Sequence, residues 1–314
     1  MIDVTCVGIQ VADVIAKPVD QVPAKGRLGQ VEAIGLYAGG NAATAARCAA
    51  RLGLRTAVIG KVGADPFGEF LTRTLQAEGV DCTGLVVDTH VQTSVSVVLS
   101  SADGERTFLH CVGADGTFRL ADVDWGVVAD SRIVFVTGTF LLDAFDGPET
   151  AAFLQRCREL GKVTALDTCW DSQGRWATLL DPVLPWVDLF LPSSDEAREL
   201  TGADDPAVMA DRLLAAGCRT VVIKLGAGGC YVRPDADTPG YTVPACAVGT
   251  VVDTTGAGDS FCAGFLAGWV RGLGLEDCAR LANAAGALSV TSPGAGTGIT
   301  DYATTAAYME RQYG

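Results

Sequence analysis

The sequence predicts an α/β fold: a mostly parallel central sheet covered by helices on both faces, with a small second sheet set apart from it. Three observations predict it. From Ile133 onward, apolar runs near 133–137, 163–167, 187–191 and 220–224 alternate with helical patterns at 149–160, 194–201 and 205–216. Continuous apolar strands separated by helices belong to a parallel sheet buried on both sides. Residues 93–100 and 106–111 alternate instead and flank the turn Ala102-Asp103-Gly104-Glu105, which makes a hairpin. Lastly, Phe261, Phe265 and Trp269 recur at four-residue intervals among small residues, the pattern of a tightly packed helix.

The elements follow in order. Residues 4–9 form the first buried strand, then a segment with Pro18, Pro23, Gly26 and Gly29, and an extended return over 31–37. Gly39-Gly40 opens an alanine-rich helix over 41–52 that stops at Gly53. A strand at 56–60 and an amphipathic helix at 67–77 come next. With no interdomain linker and no internal repeat, residues 1–314 read as one domain. Ligands of such sheets bind beyond the carboxyl ends of the strands. Asp13, Asp167 and Gly226 fall there.

Bulk properties narrow the function. The formal charge of −14 argues against nucleic acid or a membrane surface as partner, and an anionic substrate has to be captured by a local site. Eleven cysteines, an odd number without a Cys-x-x-Cys pair, read as reduced thiols packed as small hydrophobes. The start MIDVTCVGIQ lacks a basic region, and no apolar run of about 18 residues occurs. A cytoplasmic location is expected.

Chemistry concentrates in Val252 to Gly268, VDTTGAGDSFCAGFLAG. A glycine-alanine-glycine turn entering a helix presents unpaired N–H groups where the dipole favours negative charge. Gly256 and Gly258 let a phosphate approach the backbone. Asp259 beside them is expected to stay ionised and able to accept a proton. As an isolated feature, the aspartate reads equally as a helix cap.

Residues 253–268 resemble the second signature of the ribokinase-like, phosphofructokinase-B type carbohydrate kinases. Gly39-Gly40-Asn41 with its helix resembles the first. The likeness spans nearly the whole chain and implies a three-layer sandwich with a β-sheet lid, here about 10–36 and 91–112. It implies ATP- and Mg2+-dependent transfer of a phosphoryl group to a hydroxyl of a small sugar, or of a nucleoside or sugar acid. Asp259 would be the base, and the Gly256, Ala257 and Gly258 amides the anion hole. Asp13, Gly39, Gly40 and Asn41 would hold the sugar. Lys224, Gly226, Ala227, Gly229, Gly258 and Asn283 would hold ATP, with Glu196 acting on magnesium indirectly. Asp253, Thr255, Ser289, Ser292, Gly294 and Gly298 would form a site for a monovalent cation such as K+. A homodimer through the lid is common among such kinases.

The chain departs from the pattern in four places. Asn41 stands where ribokinases carry Lys, and Thr44 and Ser193 where Asn is usual. Gly298 lacks the side-chain oxygen found there in ribokinases. Arg106 is the only basic residue inside the hairpin and is expected at the rim, which favours a neutral sugar. His90 and His110 form no constellation, although His110 lies on the hairpin and is a candidate substrate contact. Phe108 and Phe140 read as core. Neither a P-loop, a dinucleotide fingerprint nor Gly-x-Ser-x-Gly occurs. A non-catalytic sensor would have lost Asp259 or its turn, and both are present.

Overall fold

The computed structural model describes residues 1–102 and 105–314; the expected tip of the hairpin, Asp103-Gly104, lies outside them. Thirteen strands follow one another: β1 Ile2–Gly8, β2 Val11–Lys17, β3 Ala33–Gly39, β4 Thr56–Gly63, β5 Asp81–Asp88, β6 Ser94–Ser100, β7 Arg106–Cys111, β8 Ser131–Thr139, β9 Val163–Thr168, β10 Leu189–Phe190, β11 Thr220–Lys224, β12 Cys230–Arg233 and β13 Tyr241–Val243. Nine of them form one sheet in the order β13-β12-β11-β10-β9-β8-β1-β4-β5. Neighbours from β11 to β5 run parallel, and β12 and β13 add an antiparallel edge. Strand order reverses between β1 and β8. That switch point opens a crevice at the carboxyl ends of the strands.

Strands β2, β5, β12 and β13 are absent from the reading of the sequence. β2 lies in the stretch read only as part of the lid, β5 is partly exposed on one face, and β12 and β13 are only four and three residues long. None of these patterns gives the continuous apolar run that marked the central strands.

Helices 257–270 and 275–289 pack against each other through small residues. A Cβ on Gly264 would stand 2.8 Å from that of Ala285, and one on Gly268 3.0 Å from the Cys278 sulfur. The expected close packing therefore depends on glycine at both positions. All eleven cysteines are free, eight of them buried.

The small sheet runs β3-β2-β6-β7. Its registers place Tyr37, Asp13, Ser96 and His110 in one cross-strand row, and Leu36, Val14, Val97 and Leu109 in the next. Adjacent rows point to opposite faces. The face bearing Asp13, Ser96 and His110, with Ile15, Val98 and Phe108 two residues along, is mixed and turned to the crevice. The other is apolar, with Leu36 40% and Leu109 64% exposed.

Candidate active site

The crevice is built from two glycine turns, each feeding a helix. Gly39 and Gly40 end β3 and open helix 41–51. A Cβ on Gly39 would fall 2.0 Å from Asp13 Oδ2, and Gly40 combines a φ of 86° with backbone of Ile9 and Val11 within 3 Å of any Cβ. Glycine is required at both because the Asp13 carboxylate and the end of β1 lie directly against them. Asn41, the first residue of that helix, donates from Nδ2 to Asp259 Oδ1 at 2.8 Å across 218 residues of sequence.

The second turn is Thr254 to Gly258. Gly256 caps helix 257–270 in the left-handed region at φ 71°, and its missing Cβ leaves room for Thr44 and Ala295. Thr44 is buried there, so the replacement of Asn at this position alters the packing under the turn. Of the three amides expected in the anion hole, that of Ala257 donates to the Thr254 carbonyl at 3.2 Å. The Gly256 and Gly258 amides flank it.

Asp259 lies at the start of this helix and is 7% exposed. Burial, then the charge of Asp167, raise its carboxyl to about 7, against the pull of Asn41 and Lys224; Glu196 adds to the rise. The helix terminus favours an aspartate that stays ionised, and burial with the neighbouring carboxylates opposes it. Loss of water and two neighbouring carboxylates outweigh the dipole.

Lys224 ends β11. Its Nζ donates to both oxygens of Asp167 at 2.7 Å. Burial would lower the ammonium, but Asp167, Cys262 and Glu196 outweigh it and raise it. The same Nζ lies 3.4 Å from where a Cβ of Gly258 would be, so the charge sits beside the glycine turn. Ser193 caps helix 194–201, and Glu196 Oε2 returns to accept from its amide at 2.7 Å and from the Thr168 hydroxyl at 3.0 Å. Burial first, then Asp167, push Glu196 upward against Lys224. Ser193, which stands where Asn is usual, thus serves the helix cap and positions Glu196.

Three carboxylates, Asp167, Glu196 and Asp259, therefore surround one ammonium. This surplus of negative charge on hard oxygen donors suits a hydrated divalent cation. No three His, Cys, Asp or Glu side chains form a metal-holding group of their own among the described residues.

On the small sheet, burial raises Asp13 to about 6, opposed by a hydrogen bond from Ser96 and the charge of Arg106. Ser96 Oγ also meets His110 Nδ1 at 3.0 Å. His110, a candidate substrate contact in the sequence, thus reaches Asp13 through Ser96, and burial lowers its imidazole. Asp13, Tyr37, Val98, Arg106, Phe108 and Asp253 line a cavity of about 500 Å³. Phe108 is 55% exposed and Phe140 only 2%, so the core assignment is right for Phe140 and wrong for Phe108. Arg106, expected at the rim, reaches Asp253 at 3.2 Å.

Beyond β11, Gly226–Gly228 forms a 3-10 turn with open space at Gly226, and Ala227 lies exposed within it. Gly229 returns under Val243, whose carbonyl would stand 2.1 Å from a Cβ. Asn283, expected near the adenine, lies on helix 275–289 against the Val243–Pro244 segment. Its amide nitrogen donates to the Val243 and Pro244 carbonyls at 3.2 and 3.0 Å and meets the Tyr313 hydroxyl at 3.1 Å. It ties the wall of this region together. Gly294 donates its amide to Asp253, bringing the late loop and the second signature together; Ser289 is fully buried and Gly298 packs on the Leu288 carbonyl.

Comparison with known proteins places this geometry. The chain is 30% identical over 273 residues to 2-dehydro-3-deoxygluconokinase of Bacillus subtilis, covering 84% of this chain and 83% of that one. It is 32% identical over 279 residues to fructokinase-1 of Oryza sativa subsp. japonica, covering 82% and 83%. Among solved structures, Arabidopsis thaliana ribokinase complexed with ribose and ATP superposes with a TM-score of 0.86 at 23% identity, covering 98% of this chain and 99% of that one. A candidate ribokinase II of E. coli in complex with ATP and Mg2+ reaches 0.85 at 24%, covering 99% and 100%. These likenesses in structure establish the ribokinase-like fold.

Fold and relatives together define a sugar kinase, a phosphotransferase with an alcohol group as acceptor. The chain belongs to the pfkB family of carbohydrate kinases, whose model matches residues 1–301.

Proposed function

We propose that this kinase transfers the γ-phosphate of ATP to a hydroxyl of a small neutral sugar, ribose- or fructose-like, with Asp259 as the general base. The observation that carries the reading is the carboxyl of Asp259, poised at about 7 beside the glycine turn and oriented by Asn41. A base near the working pH can both hold and release the proton. Asp13, Asn41 and the Gly39-Gly40 turn hold the sugar, and the small sheet acts as the lid that excludes water.

Asp259 takes the proton of the attacking hydroxyl as the hydroxyl oxygen bonds to the γ-phosphorus and the bond from that phosphorus to the β–γ bridging oxygen breaks, so that ADP leaves. The Gly256 and Gly258 amides, with Ala257 between them and Lys224 behind, stabilise charge on the transferring group. Glu196 and Asp167 would hold magnesium through water, and the ion neutralises phosphate charge when bound. The Gly226–Gly229 turn supports the nucleotide.

A neutral sugar is favoured because Arg106, which lines the cavity together with Lys17, is already paired with Asp253. A carboxylated sugar would have to compete with that pair. The apolar outer row of the small sheet supports a homodimer in which a second copy covers it; Leu109→Asp should then shift the protein to monomer in sedimentation, and an unchanged dimer would refute this interface.

The function is tested by ADP release with Mg-ATP against neutral sugars, sugar acids and nucleosides. Turnover with one neutral sugar, absent in Asp259→Asn, supports the proposal. Turnover confined to sugar acids or nucleosides overturns the substrate class. Silence across the panel with retained sugar binding overturns the catalytic reading.

A further inference from the structure

One charged contact at the site serves neither the sugar nor the phosphates. Arg106, the first residue of β7, leaves the small sheet and crosses to the segment that precedes the glycine turn. Its Nη1 donates to Asp253 Oδ1 at 3.2 Å and to the Thr255 hydroxyl, and its Nη2 donates to Thr254 Oγ1 at 3.3 Å. The remaining capacity of Asp253 is used nearby. Oδ1 accepts from the Thr255 amide at 2.9 Å and its hydroxyl at 2.6 Å, and Oδ2 from the Gly294 amide at 2.9 Å. Burial alone would raise this carboxyl. The hydrogen bonds from Thr255 and Gly294, with the Arg106 charge, more than offset that and hold it below its ordinary value. Asp253 is therefore a carboxylate whose countercharge comes from the small sheet.

The resemblance implied a monovalent cation at this place, held by Asp253, Thr255 and mostly backbone carbonyls of the late loop, and the side-chain part of that donor set does not suit one. The Asp253 carboxylate and the Thr255 hydroxyl are engaged as described. The Ser289 hydroxyl donates to the Gly286 carbonyl within its own helix at 2.7 Å. Gly298 offers no side-chain oxygen. A cation touching Asp253 would share its oxygen with a guanidinium, and like charges a few ångströms apart in partly buried surroundings repel strongly. The guanidinium is always charged and brings several donors in a fixed fork, so it can hold three side chains of one turn at once.

We propose that Arg106 takes the place of the monovalent cation: it is a positioning residue that holds the Asp253–Thr255 turn, and with it the Gly256 and Gly258 amides, so that the kinase works without potassium. The proposal rests on the sugar-kinase reading of the site.

The test compares wild type, Arg106→Met and Arg106→Lys in KCl, NaCl and choline chloride at constant ionic strength, by ADP release and by thermal unfolding. Wild-type turnover should stay within about twofold across the three salts. In choline chloride, Arg106→Met should lose at least about tenfold in kcat with ATP KM little changed, and should recover specifically in KCl as the vacated carboxylate accepts the ion. Arg106→Lys should retain an intermediate rate with no preference among salts. KCl should raise the Tm of Arg106→Met above its value in choline chloride and leave wild type unmoved. A wild-type rate that KCl raises about fivefold or more over choline overturns the proposal. So does a potassium-specific rise in wild-type Tm, or full activity of Arg106→Met in choline. The unfolding measurements need no substrate. Silence of the wild type toward every sugar would refute the kinase reading while the cation result stands.

Discussion

Asp259→Asn separates the cost of the buried carboxylate from its use. The substitution preserves shape, and its amide oxygen can still accept from Asn41, now at 2.8 Å from Asp259 Oδ1. What it removes is the charge. In the folded state the carboxyl is raised from 3.8 to about 7, which corresponds to a destabilisation on the order of 4 kcal/mol once the group ionises. The folded protein keeps this proton to a higher pH than the unfolded chain does. Stability therefore falls as pH rises from about 3.8 to about 7 and is flat in this respect above that. At pH 8 the variant should gain most of that energy, seen as a rise in Tm of about 5 °C. The gain should drop to roughly half at pH 5.5 and vanish below the unfolded value. Turnover should move the other way, falling by at least about two orders of magnitude, because no group remains to take the hydroxyl proton. Calorimetry at pH 5.5 and 8, with coupled ADP release, reads both effects. Near-normal turnover would refute Asp259 as the base. An unchanged Tm at pH 8 would refute the buried charge.

Further expectations concern the groups around it. Gly39→Ala drives a methyl into Asp13 Oδ2, so sugar KM should rise at least about tenfold with ATP KM nearly constant; equal losses for both would mean that the turn has collapsed. Sugar binding through ionised Asp13 should weaken as pH falls through about 6, and Ser96→Ala, which removes a hydrogen bond favouring the ionised form, should move that midpoint upward in a titration of sugar affinity. Lys224→Met leaves Asp167, Glu196 and Asp259 without their counterion. It should cost roughly 3–5 kcal/mol in chemical denaturation and shift the activity profile to higher pH, and an unmoved profile would show that Lys224 does not act on Asp259.

Much of this protein follows from local pattern. Apolar runs specified the central parallel strands, and the two glycine turns with their helices marked the crevice, because strand and helix periodicities and the need for absent Cβ atoms are properties of neighbours in sequence. The short antiparallel strands β12 and β13 escaped, since three or four residues hold too little periodicity to read. The state of the site was decided by tertiary structure. The charge of Asp259 depends on burial and on Asp167 and Glu196, which arrive from other strands and helices. Arg106 meets Asp253 across 147 residues of sequence, so a residue that the hairpin alone placed at the rim contacts the segment that leads into the second glycine turn. Asn283 was assigned to the nucleotide by position, and only the fold shows its amide committed to Val243, Pro244 and Tyr313. Desolvation and the pairing of charges depend on what surrounds a group in space, and one residue's sequence neighbours carry almost none of that information.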